Sequence, residues 1–186
     1  MKKLLSVVLL LAILNGRSDA DRSLREAMDL RQRIQESSGC SFRSVVTADY
    51  GEMVHQFTLD CTVDAGGDMS FTVMAPESIS EITGRVTENN GFLTFDSQVL
   101  AFPVLADGLI APVISPWLAI RSLRSGYIVG VGEVSSGKHI QIDDSYQGQT
   151  VRLDYWTGED GMPDRCEIIW LGRRILSVDF ENFRFM

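Results

Sequence analysis

Residues 40–75 read CSFRSVVTADYGEMVHQFTLDCTVDAGGDMSFTVMA, and the reading of this stretch decides the fold. Asp49-Tyr50-Gly51-Glu52 has turn chemistry and stands between two runs rich in β-branched and aromatic residues. With Tyr50-Gly51 as a two-residue hairpin loop, Phe42 faces Leu59, Ser44 faces Phe57 and Val46 faces His55. Side chains alternate with period two along a strand, so these pairs share one face. The same register sets Cys40 opposite Cys61, which predicts a disulfide between them and leaves Cys166 free. His55, on the apolar face, is then expected to be a satisfied, buried histidine.

Working outward, Asp64-Ala65-Gly66-Gly67-Asp68 is a second turn and Met69–Ala75 a third strand that Pro76 ends. A fourth strand is expected over Ile79–Thr87, interrupted by Gly84, with a hairpin signal at Asn90-Gly91. Phe92–Asp96 and Gln98–Phe102 are short fifth and sixth strands. Further strands are expected over Tyr127–Glu133, Lys138–Ile142, Thr150–Tyr155, Asp164–Leu171 and Arg174–Phe183. About ten or eleven strands at this spacing predict a mainly β protein: an antiparallel barrel or a strongly curved sheet.

Two segments break the strand pattern. Residues 21 to 36 read as a helix with an apolar stripe of Leu24, Ala27, Met28, Leu30 and Ile34, ended by Ser37-Ser38-Gly39 with Gly39 as its C′ residue. Pro103 to Gly126 is a Pro-rich apolar insertion in which Ser115-Pro116 reads as N-cap and N1 of a short helix. An insertion this apolar must cover something, because exposed it would be an aggregation patch.

Ahead of these, Met1-Lys2-Lys3 and the apolar run Leu4–Leu14 fit an export signal, too short to span a bilayer as a mature helix. The signal is taken as residues 1–16, or to Ala20, and residues 21–186 as one domain. Leu14-Asn15-Gly16 looks like a bacterial lipobox, yet Arg17 stands where the lipidated cysteine belongs and removes the thiol. Ser18-Asp19-Ala20 offers ordinary signal peptidase its small residues, so released and tethered forms both stay open. The net charge is −8, or −10 without Lys2 and Lys3. A surface this acidic argues against nucleic acid and against adhesion to anionic lipid through a basic patch.

The order of parts resembles the LolA/LolB-like lipoprotein-carrier fold family: leader, helix, strand meander, Pro-rich helical insertion, closing strands. The closing segment carries the likeness best, with Val151-Arg152-Leu153-Asp154-Tyr155-Trp156, Gly161-Met162-Pro163, Glu167-Ile168-Ile169, Leu176-Ser177-Val178-Asp179-Phe180 and Phe183. The resemblance spans most of residues 21–185. It implies an incomplete barrel, a half-barrel wrapped around helices that plug its open side. The paired cysteines point within it to a Gram-positive, GerS-like branch.

Chemistry is sparse. The chain has no Gly-x-Ser-x-Gly elbow, phosphate loop, dinucleotide fingerprint or His-Glu-x-x-His, and its two histidines have no ligand at metal-site spacing. Asp143-Asp144 and Glu159-Asp160 are adjacent acids, hence on opposite strand faces, and read as solvated turn residues. Cys166 reads as a small buried apolar residue. No enzyme, metal or cofactor is expected. Phe42, Val46, Phe57, Leu59, Phe71, Val73, Leu93 and Phe95 could line a cavity for an acyl chain or fill a solid core. With Trp117 and Leu118 of the insertion, they are the candidate ligand-binding residues. Two functions are carried forward. One is an exported, membrane-proximal envelope protein binding a lipid or a lipoprotein acyl chain. The other is an interaction module of the same fold that docks or regulates an envelope enzyme, such as a cortex or peptidoglycan amidase in sporulation or germination.

Overall fold

The computed structural model describes residues 21–186 except 52, 89, 96, 97, 103, 104, 107, 108 and 147, and gives no side-chain account of 102, 105, 106, 109, 146 and 149. The leader therefore lies outside the described residues, as do Glu52 of the first turn, Pro103 of the insertion and Gln147. Helix α1 covers residues 21–36. Then come β1 (Gly39–Asp49), β2 (Val54–Asp64), β3 (Met69–Ala75), β4 (Thr83–Val86), β5 (Gly91–Phe95) and β6 (Gln98–Phe102). The short pair β7 (Leu105–Ala106) and β8 (Leu109–Ile110) leads through a 3₁₀ turn at Pro112–Ile114 into α2 (Ser115–Ser125). The chain closes with β9 (Tyr127–Val134), β10 (Gly137–Tyr146), β11 (Gln149–Thr157), β12 (Pro163–Trp170) and β13 (Arg173–Phe185).

Eleven strands form one antiparallel sheet in the order β6-β5-β4-β3-β2-β1-β13-β12-β11-β10-β9, with β7 and β8 a separate ribbon. The sheet curves without closing, so among the described residues β6 and β9 remain its edges and the fold is a half-barrel. β1 sits at its centre between β2 and β13. Its alternation is complete: Cys40, Phe42, Ser44, Val46 and Ala48 turn inward and are buried.

The first hairpin corrects the expected register. Its loop has four residues, closed by the Tyr50 amide donating to the Met53 carbonyl at 3.2 Å, and Asp49 pairs with Val54. Every partner is displaced by two, so Phe42 faces Cys61, Ser44 faces Leu59, Val46 faces Phe57 and Ala48 faces His55. An even displacement keeps each side chain on its face. It separates the cysteines, however: Cys40 faces Val63, Cys61 lies one diagonal step away, and all three cysteines are free and buried. Diagonal neighbours stand about 7–8 Å apart, beyond ordinary disulfide reach. The Cys40–Cys61 bridge is therefore not made.

Other expectations are also revised. β4 is shorter than expected, because Glu77–Ile79 forms a 3₁₀ turn. Gly84 sits where a Cβ would fall 2.3 Å from the Phe71 ring, so it gives that ring room rather than interrupting pairing. α1 packs through Ser23, Ala27, Leu30 and Ile34, while Leu24 and Met28 are exposed. Gly39 is not a helix C′ residue but opens β1 at φ 143, where a side chain would strike the Val63 carbonyl. Ser115 does not cap α2. The helix continues straight from the 3₁₀ turn, and the Ser115 hydroxyl donates back to the Pro112 carbonyl at 2.7 Å.

α2 fills the concave side over β1, β13 and β10. Trp117, Leu118, Ala119, Ile120 and Leu123 are buried, and the Trp117 indole N–H donates to the Gly67 carbonyl at 2.9 Å. Such a helix owes its stability to packing rather than propensity, each large side chain contributing roughly 1.5–3 kcal/mol. α1 secures its far end: the Arg31 guanidinium donates to the Leu123 and Gly126 carbonyls, at 2.8 and 2.6 Å. These are carbonyls a helix end leaves unpaired, and a cation suits the negative end of the dipole.

Candidate functional site

The inner face of the sheet has two regions. Under α2 it is solid: Phe42, Val46, Leu59, Phe71 and Val73 pack in the same core as Trp117 and Leu118, and all seven are buried. These seven expected cavity residues fill a core. Towards the β1–β2 loop the filling stops. Phe57 and Leu93 are half-buried, and Phe95, further along β5, is 61% exposed.

Leu100 completes this surface. It pairs across strands with Leu93 and so points inward, yet it is 64% exposed. Four large apolar side chains thus line the mouth of the half-barrel, from β2, β5 and β6. Exposed Met53 and Val54 stand on its rim. Sequence reading found three of the four; Leu100 was available from the alternation in Gln98–Phe102 but was not singled out.

The insertion borders this mouth. The Tyr50 hydroxyl, at the first hairpin loop, donates to the Ile110 carbonyl at 3.0 Å, and Ile110 and Ile114 are buried. Burial raises the Tyr50 pKa, so the hydroxyl stays protonated as a donor. The exit of the insertion is thereby pinned beside the loop that precedes Phe57.

His55 also faces inward, but at this open end it is exposed and not buried as expected, with its ring 6.4 Å from that of Phe57. His139 lies on the other face, stacked on Trp156 at 4.7 Å with Nε2 3.6 Å from an Asp154 oxygen. Among the described residues no three His, Cys, Asp or Glu side chains gather as metal ligands would.

Asp143 and Asp144 divide between faces as alternation requires, but they lie within β10 and are not turn residues. Asp143 pairs with Arg152 outside at 2.9 Å, whereas Asp144 turns inward to Arg121 of α2 at 2.6 Å with its side chain 10% exposed. Arg121 also meets Glu88, at 2.8 Å, which ties α2 to the β4–β5 turn. Glu159 and Asp160 do occupy a turn, where Asp160 accepts from the Met162 amide at 2.9 Å. Cys166 is buried against Tyr155, whose hydroxyl also meets Ser122 and donates to the Ala119 carbonyl at 2.8 Å. Burial pushes the Cys166 thiol up, which disfavours its thiolate.

No protein-family model and no curated protein matches the chain. Solved structures do. It is similar to a DUF1329 family protein from Desulfovibrio piger, at TM-score 0.50 and 10% identity over 90% of this chain and 93% of that one. It is also similar to a LolA superfamily protein from Nitrosomonas europaea, at TM-score 0.46 and 9% identity over 90% and 94%. A chain of the Pseudomonas aeruginosa MucA/MucB complex matches at TM-score 0.39 and 13% identity, over 90% of this chain and 57% of that one. Identities this low speak for the fold alone. Fold and site together define a half-barrel with a filled interior and an apolar mouth.

Proposed function

We propose that this protein is an exported, non-enzymatic envelope protein that binds a lipid or a lipoprotein acyl chain at the mouth of the half-barrel. The observation that carries this reading is the inward-facing yet exposed pair Phe95 and Leu100, beside half-buried Leu93, which pairs with Leu100 across β5 and β6. Covering such a surface with hydrocarbon gains roughly 0.8 kcal/mol per CH₂. The leader and the acidic surface agree with export and with a ligand held by apolar contact, not charge. Because α2 fills the deeper interior, the chain lies along β5 and β6 beneath the insertion. Titration of the exported protein with a dansylated fatty acid tests this. Saturable binding that Phe95→Asp and Leu100→Asp abolish, in variants of native circular dichroism, supports the reading. Absence of saturable binding, or binding indifferent to both substitutions, defeats it.

A second reading rests on a different observation. Among the described residues β9 is an edge strand bonded to β10, and it exposes Tyr127, Val129 and Val134. An unpaired edge of eight residues accepts an added strand, which suits a module that docks an envelope enzyme such as a peptidoglycan amidase in a GerS-like role. Val129→Pro would block such docking while leaving acyl-chain binding intact.

A further inference from the structure

The sheet has a second concavity, on the face turned away from α1 and α2. It is an open groove of about 890 Å³ running across six neighbouring strands, from β13 through β1, β2, β3 and β4 to β5. The cross-strand registers arrange its side chains in two rows. One runs Arg184, Ser41, Thr62, Ser70, Arg85, Phe92; the other runs Arg43, Asp60, Thr72, Thr83, Thr94. The groove exists because short hydroxyl side chains occupy the middle strands and long ones the flanks. With strands about 4.8 Å apart, five spacings span about 24 Å. At one end the paired chain of β13 bulges, and Asn182, at φ 54, lines the groove from that bulge.

The donors are held in place. Arg43 makes two hydrogen bonds to Asp60, at 2.7 and 3.1 Å, and Arg85 one to Asp68 at 2.7 Å. A guanidinium has five N–H groups, so both keep donors for a ligand. The lining carries three guanidinium groups to one carboxylate in a chain of net charge −8, with Asp68 and Glu181 at the rim. No carboxylate among the described residues lies within ion-pair distance of Arg184.

We propose that this groove binds an extended anionic polysaccharide lying across the strands. A row of hydroxyls at a fixed repeat, ended by guanidinium groups and a partly buried phenyl ring, suits a polyhydroxylated chain that bears acid groups. Charge-assisted bonds to guanidinium supply the anchor, the hydroxyls exchange hydrogen bonds with the sugar, and Phe92 offers an apolar face to a ring. A peptide is less well served. All strands beneath the groove are paired on both sides or continue the ladder, so no backbone edge is open to it. A lipid headgroup would use only a fraction of the length.

Calorimetric titration of the full chain with polygalacturonate, dextran, polyglutamate and phosphatidylglycerol vesicles tests the proposal. Polygalacturonate should bind, dextran and polyglutamate should not, and any vesicle binding, which the apolar mouth would supply, should not compete with polygalacturonate. Arg184→Ala should weaken it about tenfold, the loss of one charge-assisted contact, and Thr72→Trp should abolish it by filling the floor. Arg184 is exposed, so its variant keeps the test valid even if Thr72→Trp misfolds. Absence of polygalacturonate binding, equal binding of dextran or polyglutamate, or vesicles that compete with polygalacturonate would each overturn the proposal. So would binding that Arg184→Ala leaves unchanged.

Discussion

Two large apolar residues on the same inner face have opposite meanings. Leu59 is fully buried between β1 and β3, whereas Phe95 is mostly exposed at the mouth. Leu59→Ala should cost about 2–5 kcal/mol in urea unfolding, because it opens a cavity in close-packed core. Phe95→Ala should cost under about 0.5 kcal/mol while weakening acyl-chain binding, since it removes ligand contact rather than core. The thiols give a second residue-scale prediction. Burial pushes Cys40 and Cys61 up to about 12, from an ordinary value of 9.0. A raised pKa means the thiols contribute stability that is complete below pH 9 and is lost as pH rises towards 12. The urea midpoint should therefore decrease as pH rises from 9.0 towards about 12, and less steeply in a Cys40→Ala/Cys61→Ala protein. Native cysteines should also resist alkylation at pH 8 until denaturant is added, with no shift on non-reducing gels.

At the scale of elements, the burial of each polar contact that α2 makes decides its worth. Asp144 and Arg121 are largely covered, while Asp143 and Arg152 are half in water. Asp144→Ala should destabilise by about 1–3 kcal/mol, because it removes the more covered of the two carboxylates that meet Arg121 and leaves the exposed Glu88 in place. Asp143→Ala, one residue away, should cost under about 0.5 kcal/mol. Chemical denaturation of the two variants checks this. Arg31→Met should in turn raise amide exchange in the last turn of α2, whose carbonyls it caps, without affecting β12 and β13.

Elements of this kind were legible to different depths. β3 and β6 could be read to the residue, because a proline follows each directly, Pro76 and Pro103. The first hairpin could not, since Tyr50-Gly51 fits a two-residue and a four-residue loop equally well. The resulting displacement was even, so the faces were right and the disulfide was wrong. Helix α1 was read too broadly: Leu24 and Met28 satisfy helical periodicity, yet only the stripe through Ser23, Ala27, Leu30 and Ile34 meets the half-barrel.

For the whole molecule, the inner face was visible as a pattern, but its division into core and mouth was not. That division depends on how far α2 reaches along the sheet, which periodicity does not encode. Seven of the ten candidate residues lie where α2 reaches, and Phe57, Leu93 and Phe95 lie beyond it. The fold thus presents two faces for two kinds of contact, an apolar inner mouth and a hydroxyl-lined outer groove. The claim at the centre of this account concerns the mouth, and native mass spectrometry of the protein purified from its own envelope, followed by solvent extraction, tests it most directly. One acyl-bearing ligand per chain, absent from a folded Phe95→Asp/Leu100→Asp protein, is the predicted result. A ligand-free protein that also takes up no added lipid would contradict it.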